Sequence, residues 1–134
     1  MAFKPKIILV GGCFDILHFG HISFLKKAKA LGGKLIVALE SDVNVRKLKG
    51  PGRPIHTQEK RRQMLLALKC VDQVIPLPPL NSDADYARLV AKIKPDLIAV
   101  TAGDKKKTHG VKTVVIPKIK TPSTTQITRL KRLL

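Results

Sequence analysis

The chain predicts an α/β fold, a doubly wound parallel sheet of about five strands with helices on both faces, and three observations lead there. Short apolar runs alternate with capped or amphipathic segments in the order β-α-β-α-β-α-β-β-α. The strand segments are apolar almost throughout, as strands covered on both faces are. Every polar cluster follows a strand, where open parallel sheets bind ligands: beyond the carboxyl ends, at the switch in strand order. Crossovers between these strands are expected to be right-handed.

Each element has its own signal. Lys6–Gly12 reads as the first strand. Phe19–Leu31 reads as the first helix, with Ile22, Leu25 and Ala28 inward and Gly32-Gly33 ending it. Lys34–Leu39 is the second strand. Glu40–His56, rich in Lys, Gly and Pro, reads as a long loop. Thr57 caps the second helix, Glu59 sits in its first turn, and Arg61, Leu65 and Leu68 form one stripe. Asp72–Pro76 is a short third strand. Ser82 and Asp85 have capping spacing for a third helix. In it Tyr86, Leu89, Val90 and Ile93 fall at i, i+3, i+4 and i+7, and Pro95 stops it. Leu97–Val100 and Val111–Ile116 are strands four and five. Ser123 and Gln126 have capping-box spacing for a last helix running to the C-terminus. No internal repeat, linker or low-complexity tail interrupts the pattern, so residues 1–134 are expected to form a single domain.

Composition narrows the function classes. An apolar content of 44% suits a globular domain, and no run approaches the roughly 18 apolar residues of a membrane span. Met1–Lys6 lacks the features of a signal peptide. Cys13 and Cys70 are isolated and lack metal-ligand spacing, so no metal site of protein ligands is expected. Reduced thiols and cytoplasmic residence follow as the expectation. The net charge is +17, from 26 basic and 9 acidic residues, which implies anionic partners. Nucleic acid is the first candidate. Four Phe, one Tyr and no Trp leave little for stacking single strands, however. A basic surface that draws in nucleotide and phosphorylated substrate explains the charge, with nonspecific nucleic-acid binding as a by-product.

The chemistry concentrates in Gly12-Cys13-Phe14-Asp15-Ile16-Leu17-His18-Phe19-Gly20-His21. A strand ends at glycine, and two histidines three apart open a helix. A helix start offers free N–H groups and the positive dipole end, so it attracts phosphate. The two imidazoles add side-chain donors, and Gly20 permits close approach. Asp15 either orients a neighbouring group or caps the loop. Arg46–Pro54 is basic enough to close over a triphosphate, or is a solvated loop. Arg61 either snorkels or faces the site. Thr101-Ala102-Gly103-Asp104 follows strand four, and Ser123-Thr124-Thr125 forms a second phosphate cradle or a plain helix cap.

This constellation resembles the nucleotidyltransferase superfamily of cytidylyltransferase type, whose H-x-G-H motif is matched by His18-Phe19-Gly20-His21. Ser41-Asp42, Val45-Arg46, Leu48-Lys49-Gly50 and Arg53-Pro54 look like the adenylyltransferase half of the bacterial heptose-phosphate enzyme. The resemblance is therefore closest to the heptose 1-phosphate adenylyltransferase type. It implies a Rossmann-like fold and roles for particular residues. His18, His21, Lys49 and Lys118 would be catalytic, holding the transition state and leaving pyrophosphate. Gly12, Cys13, Phe14, Gly20, Asp104, Ser123, Thr124 and Thr125 would join His18, His21 and Lys49 in binding the nucleotide. Asp15, Lys47 and Arg61 would face the acceptor, Lys47 and Lys49 forming the family's K-x-K pair.

The resemblance also implies ATP as donor, a sugar phosphate as acceptor, Mg²⁺ carried by the triphosphate and a homodimer. Lys69-Cys70-Val71-Asp72 aligns with the R-Y-V-D of the cytidylyl branch but has lysine in place of arginine, which favours the adenylyl branch. Alternatives within the superfamily are a cytidylyltransferase for glycerol phosphate or a similar alcohol phosphate, with CTP as donor, and an FMN adenylyltransferase. From another class, the charge would suit a noncatalytic nucleic-acid-binding module.

Overall fold

The computed structural model describes residues 5–102 and 109–118. Its elements run β1 (Ile7–Gly12), α1 (Phe19–Ala30), β2 (Lys34–Leu39), α2 (Asp42–Lys49), α3 (Gln58–Leu66), β3 (Gln73–Pro76), α4 (Asp83–Ile93), β4 (Leu97–Thr101) and β5 (Thr113–Ile116). The strands form one five-stranded sheet in the order β3-β2-β1-β4-β5, with every pairing parallel. The order reverses between β1 and β4, so a crevice opens beyond Gly12. The doubly wound α/β fold expected from the sequence is the one observed.

Period-two alternation assigns each strand residue to a face. Ile8, Val10, Leu35, Val37, Leu39 and Ala99 pack with Leu25 and Ala28 of α1 and Leu65 of α3. Leu9, Ile36, Ala38, Ile98 and Val100 pack with Val90 of α4. Helices therefore cover both faces. The α1–β2 turn is tight: Gly33 donates its N–H to the Lys6 carbonyl at 3.1 Å, and a Cβ at Gly33 would stand 2.3 Å from that of Pro5.

Glu40–His56 is not a continuous loop. Its first half is the helix α2, for local reasons. The Ser41 hydroxyl accepts the Asn44 N–H at 3.1 Å, Asp42 occupies the first turn, and Arg46, Lys47 and Lys49 occupy the last. Gly50, at φ 98°, ends it in a conformation that side chains resist. The glycines and prolines that suggested a loop all fall at residues 50–54, behind the helix. The remaining helices start where their caps are: Thr57 accepts from the Lys60 N–H and Ser82 from the Asp85 N–H. The last helix expected from Ser123 lies outside the described residues.

Candidate active site

The crevice is built on the β1–α1 corner. His18 is the residue that caps α1, with extended backbone at φ −137° and ψ 177°. Its Nδ1 accepts the Gly20 N–H at 3.1 Å. A nitrogen that accepts carries no proton, so neutral His18 holds its proton on Nε2 as a donor. His21 stacks on it, with ring centroids 3.9 Å apart and 25° between planes. The Phe14 ring meets His21 edge-on at 5.4 Å. Phe14 itself sits at φ 46°, in the left-handed region that a bulky side chain resists. Its ring is buried in the core, so it supports His21 from below, and its side chain does not offer itself to a nucleotide as the sequence suggested. Gly12 is shaped by the same ring: a Cβ there would lie 2.9 Å from Phe14 Cε2.

The electrostatics of the histidine pair are set by burial and by neighbouring positive charge. Burial pushes the His21 imidazole down to about 4, His18 and Lys49 push the same way, and the Ile16 carbonyl only partly offsets them. His21 Nδ1 is nonetheless the one buried side-chain polar atom among the described residues without a hydrogen bond of ordinary geometry. Burial lowers His18 as well. At neutral pH both rings are uncharged. Neutral rings can offer N–H donors but no positive charge, and Lys49 lies nearby.

The basic residues divide. Lys49, in the last turn of α2, lies close enough to His21 to act on its charge. Lys47 instead lines a small cavity on the neighbouring side, about 190 Å³, together with Glu40, Asn44, Leu48, Leu80 and Tyr86. Residues two apart on a helix do not share a face, so a helical K-x-K pair must serve two places. Lys118 is exposed two residues beyond β5, on the same carboxyl edge of the sheet. Asp104, Ser123, Thr124 and Thr125 lie outside the described residues.

Two residues expected to face the acceptor are turned inward. Asp15 is 2% exposed. It accepts from Arg53 Nε at 2.6 Å, from the Ile55 N–H at 2.8 Å and from the His56 N–H at 3.0 Å. Burial alone would raise its pKa, but those donors outweigh it and hold the carboxyl below its ordinary value. It caps the loop that follows α2. Arg61 is 0% exposed. Its guanidinium donates to the Cys13 carbonyl at 2.7 Å, the His56 carbonyl at 3.1 Å and Asp42 Oδ1 at 2.7 Å. Neither snorkelling nor a substrate contact describes it: Arg61 bolts the corner to α2 and to the loop before α3.

The stretch Lys69–Asp72 lies at the opposite end of the sheet. The Asp72 N–H bonds the Leu35 carbonyl, and its carboxylate takes Lys29 and the Leu35 N–H, all at the amino end of β2. The sequence reading missed Glu40, Asn44 and Tyr86. The Tyr86 hydroxyl donates to the Glu40 carboxylate at 2.9 Å, and Asn44 Nδ2 donates to the Leu80 carbonyl at 2.9 Å. A lone tyrosine on an apolar helix stripe reads as core, and only the fold brings it opposite Glu40.

Comparison with known proteins agrees with this geometry. The bifunctional protein HldE of Pseudomonas savastanoi pv. phaseolicola is 45% identical over 114 residues, covering 85% of this chain and 22% of that protein. The protein of the same name from Aeromonas hydrophila subsp. hydrophila is 48% identical over 101 residues, covering 75% of this chain and 20% of that protein. The chain thus spans about a fifth of the length of these curated relatives. Among solved structures, the lipopolysaccharide core biosynthesis protein of Thermoplasma volcanium matches with a TM-score of 0.69 at 27% identity, over 89% of this chain and all of that one. The pantoate-beta-alanine ligase of Francisella tularensis, at 18% identity and a TM-score of 0.60 over 91% of this chain and 62% of that one, shares the fold. The cytidylyltransferase-like family model matches residues 9–126, from inside β1 to beyond β5 and across the whole histidine corner, and the chain belongs to that family.

Proposed function

We propose that the chain is an adenylyltransferase that moves AMP from ATP to the phosphate of a sugar phosphate and releases pyrophosphate. One observation carries the reading: two stacked, uncharged imidazoles at a helix start, beside Lys49, in the crevice where the strand order reverses. An acceptor phosphate oxygen attacks the α-phosphorus, and the bond to the β-phosphate oxygen breaks. That nucleophile is already anionic near neutral pH, so the step requires no general base. The corner contributes position and charge stabilisation. His18 offers Nε2–H to the α-phosphate, Lys49 supplies positive charge, and Lys118 lies on the same edge. Ser123, Thr124 and Thr125 complete the triphosphate cradle in this reading.

Among the described residues no group of three His, Cys, Asp or Glu could hold a metal ion, and Asp15 and Asp42 are engaged by arginines. In this reading Mg²⁺ comes with the triphosphate, whose charge it would neutralise. No helix among the described residues is long and apolar enough to cross a membrane. The reduced cytoplasmic setting and the homodimer rest on cysteine usage and resemblance. The choice of ATP rests on the motifs shared with the heptose-type enzymes and on the likeness to the HldE proteins.

The test is pyrophosphate release with ATP or CTP and a panel of phosphorylated acceptors, run on wild type and on His18→Asn. Asparagine retains a helix cap and removes the imidazole. The variant is expected to fold normally and lose about 10²–10³ in turnover. The rate should not decline as pH rises from 7 to 8, because His21 is already neutral there and burial lowers His18 from its ordinary value. Near wild-type turnover in folded His18→Asn would overturn the mechanism. Preference for CTP would overturn the adenylyl assignment alone.

A further inference from the structure

The cavity beside the histidine corner is a second polar site, and its chemistry differs from that of the corner. It contains a carboxylate, a phenol and a carboxamide in a chain whose net charge is +17. The Tyr86 hydroxyl gives its proton to Glu40, at 2.9 and 3.1 Å to the two carboxylate oxygens. Burial, with the Glu40 carboxylate beside it, pushes the Tyr86 phenol up to about 12, so that proton stays in place at any physiological pH. A carboxylate has about four acceptor positions, and one phenol proton fills only part of them. Asn44 Nδ2 is committed to the Leu80 carbonyl at 2.9 Å and to the Tyr86 hydroxyl oxygen at 3.5 Å. The polar capacity left over at Glu40 is that of an acceptor, and it calls for a ligand that brings O–H or N–H donors.

The position ties the cavity to the reaction centre. The Glu40 N–H bonds the Gly12 carbonyl at 3.0 Å, so the residue carrying the carboxylate is anchored to the last residue of β1. Cys13, the next residue of the corner, is near enough to Tyr86 to add to its shift. Leu48 and Leu80 give the cavity apolar walls suited to C–H groups, and Lys47 stands on the lining with the opposite charge. A volume of about 190 Å³ suits a small polyhydroxylated skeleton. A carboxylate also repels a phosphate. Its presence next to a phosphate-binding corner therefore sorts a ligand by its two ends, anion toward the corner and hydroxyls toward Glu40. An ammonium ligand would satisfy Glu40 but meets Lys47 on the same lining.

We propose that Glu40 and Tyr86, with Leu48 and Leu80 as walls, form the subsite that reads the hydroxyl groups of a phosphorylated sugar or polyol, while the histidine corner holds its phosphate. The proposal rests on the acceptor assignment made above and adds the residues that choose it.

Calorimetric titration of the full chain with mannose 1-phosphate, glucose 1-phosphate and inorganic phosphate, each with Mg²⁺ and a non-hydrolysable ATP analogue present, tests it. Wild type should bind at least one sugar phosphate more tightly than inorganic phosphate. Glu40→Gln should weaken that sugar phosphate tenfold or more, with inorganic phosphate unchanged. Tyr86→Phe, which keeps the ring, should weaken it about threefold and decides the matter if Glu40→Gln fails to fold. Equal weakening of sugar phosphate and inorganic phosphate, or no weakening in a folded variant, overturns the subsite. So does a wild type that binds no sugar phosphate better than inorganic phosphate. The functional reading fails separately, if no acceptor supports pyrophosphate release from ATP or CTP.

Discussion

Arg61 and Arg62 are adjacent on α3 and each pairs with a carboxylate, yet they occupy opposite regimes. Arg61 is entirely buried, and its guanidinium reaches Cys13, Asp42 and His56, residues spread over more than 40 positions. Arg62 lies at the surface, half-buried, and meets the exposed Glu59 one turn away, at 2.6 and 2.8 Å. Hydrogen bonds from Arg62 and Gln63 draw Glu59 down to about 2. Water screens that pair, so good geometry there adds little to stability. Depth, and the number of separate segments joined, decide what a salt bridge does for the fold.

The largest effect should come from Arg61→Ala. It leaves the Cys13 and His56 carbonyls without their donor and opens a void beneath the corner. The void and the lost charge-assisted hydrogen bonds together cost about 3–5 kcal/mol, while the Asp42 carboxylate left behind is nearly half exposed. Urea denaturation should read a loss in that range, with activity falling further than the folded fraction. A loss below about 1 kcal/mol would show that water replaces the guanidinium and that the corner needs no bolt.

Asp15→Asn comes next. Hydrogen bonds to a charged partner contribute about 1.5–3 kcal/mol, and an amide presents N–H groups to N–H donors. The pH dependence carries a sign. The folded Asp15 carboxyl sits below its ordinary value, so its contribution is full above an unfolded pKa of about 3.9 and is lost as pH falls through the folded one. The stability gap between wild type and Asp15→Asn should therefore narrow between pH 5 and the acid limit of folding. A gap independent of pH would assign the effect to packing. The smallest effect is Arg62→Ala, whose melting temperature should match wild type, in low salt and in 0.5 M salt alike. A clear salt-dependent loss would erase the contrast between the two arginines.

The sequence exposes what is periodic or local and hides what is brought together from afar. The sheet was legible because parallel strands are apolar throughout and glycine, proline and capping residues punctuate them. The histidine corner was legible because its residues are contiguous. The composition of Glu40–His56 as a whole hides the helix α2, although Ser41, Asp42 and the basic last turn are ordinary cap and dipole signals. Asp15 and Arg61 were expected to face the acceptor because charged residues near a phosphate site usually do. Their partners, Arg53, Ile55 and His56 for one and Cys13, Asp42 and His56 for the other, lie up to 48 positions away. Glu40 and Tyr86 are 46 positions apart, and nothing in either neighbourhood points to the other.

The reach of Arg61 also bears on synthesis. The corner residues leave the ribosome before α3, which follows roughly 40 residues later. Closing a loop of that length carries an entropic cost that must be met before the corner's contacts can form. A nascent chain that has delivered both histidines but not residue 61 has the sequence of the site without its shape. Until α3 docks, no guanidinium ties the Cys13 carbonyl to Asp42 and the His56 carbonyl, and the corner lacks its bolt however long its residues have been outside. The site therefore matures only after residue 61 has emerged, and phosphate compounds in the surrounding solution meet it only once β1, α2 and α3 are joined.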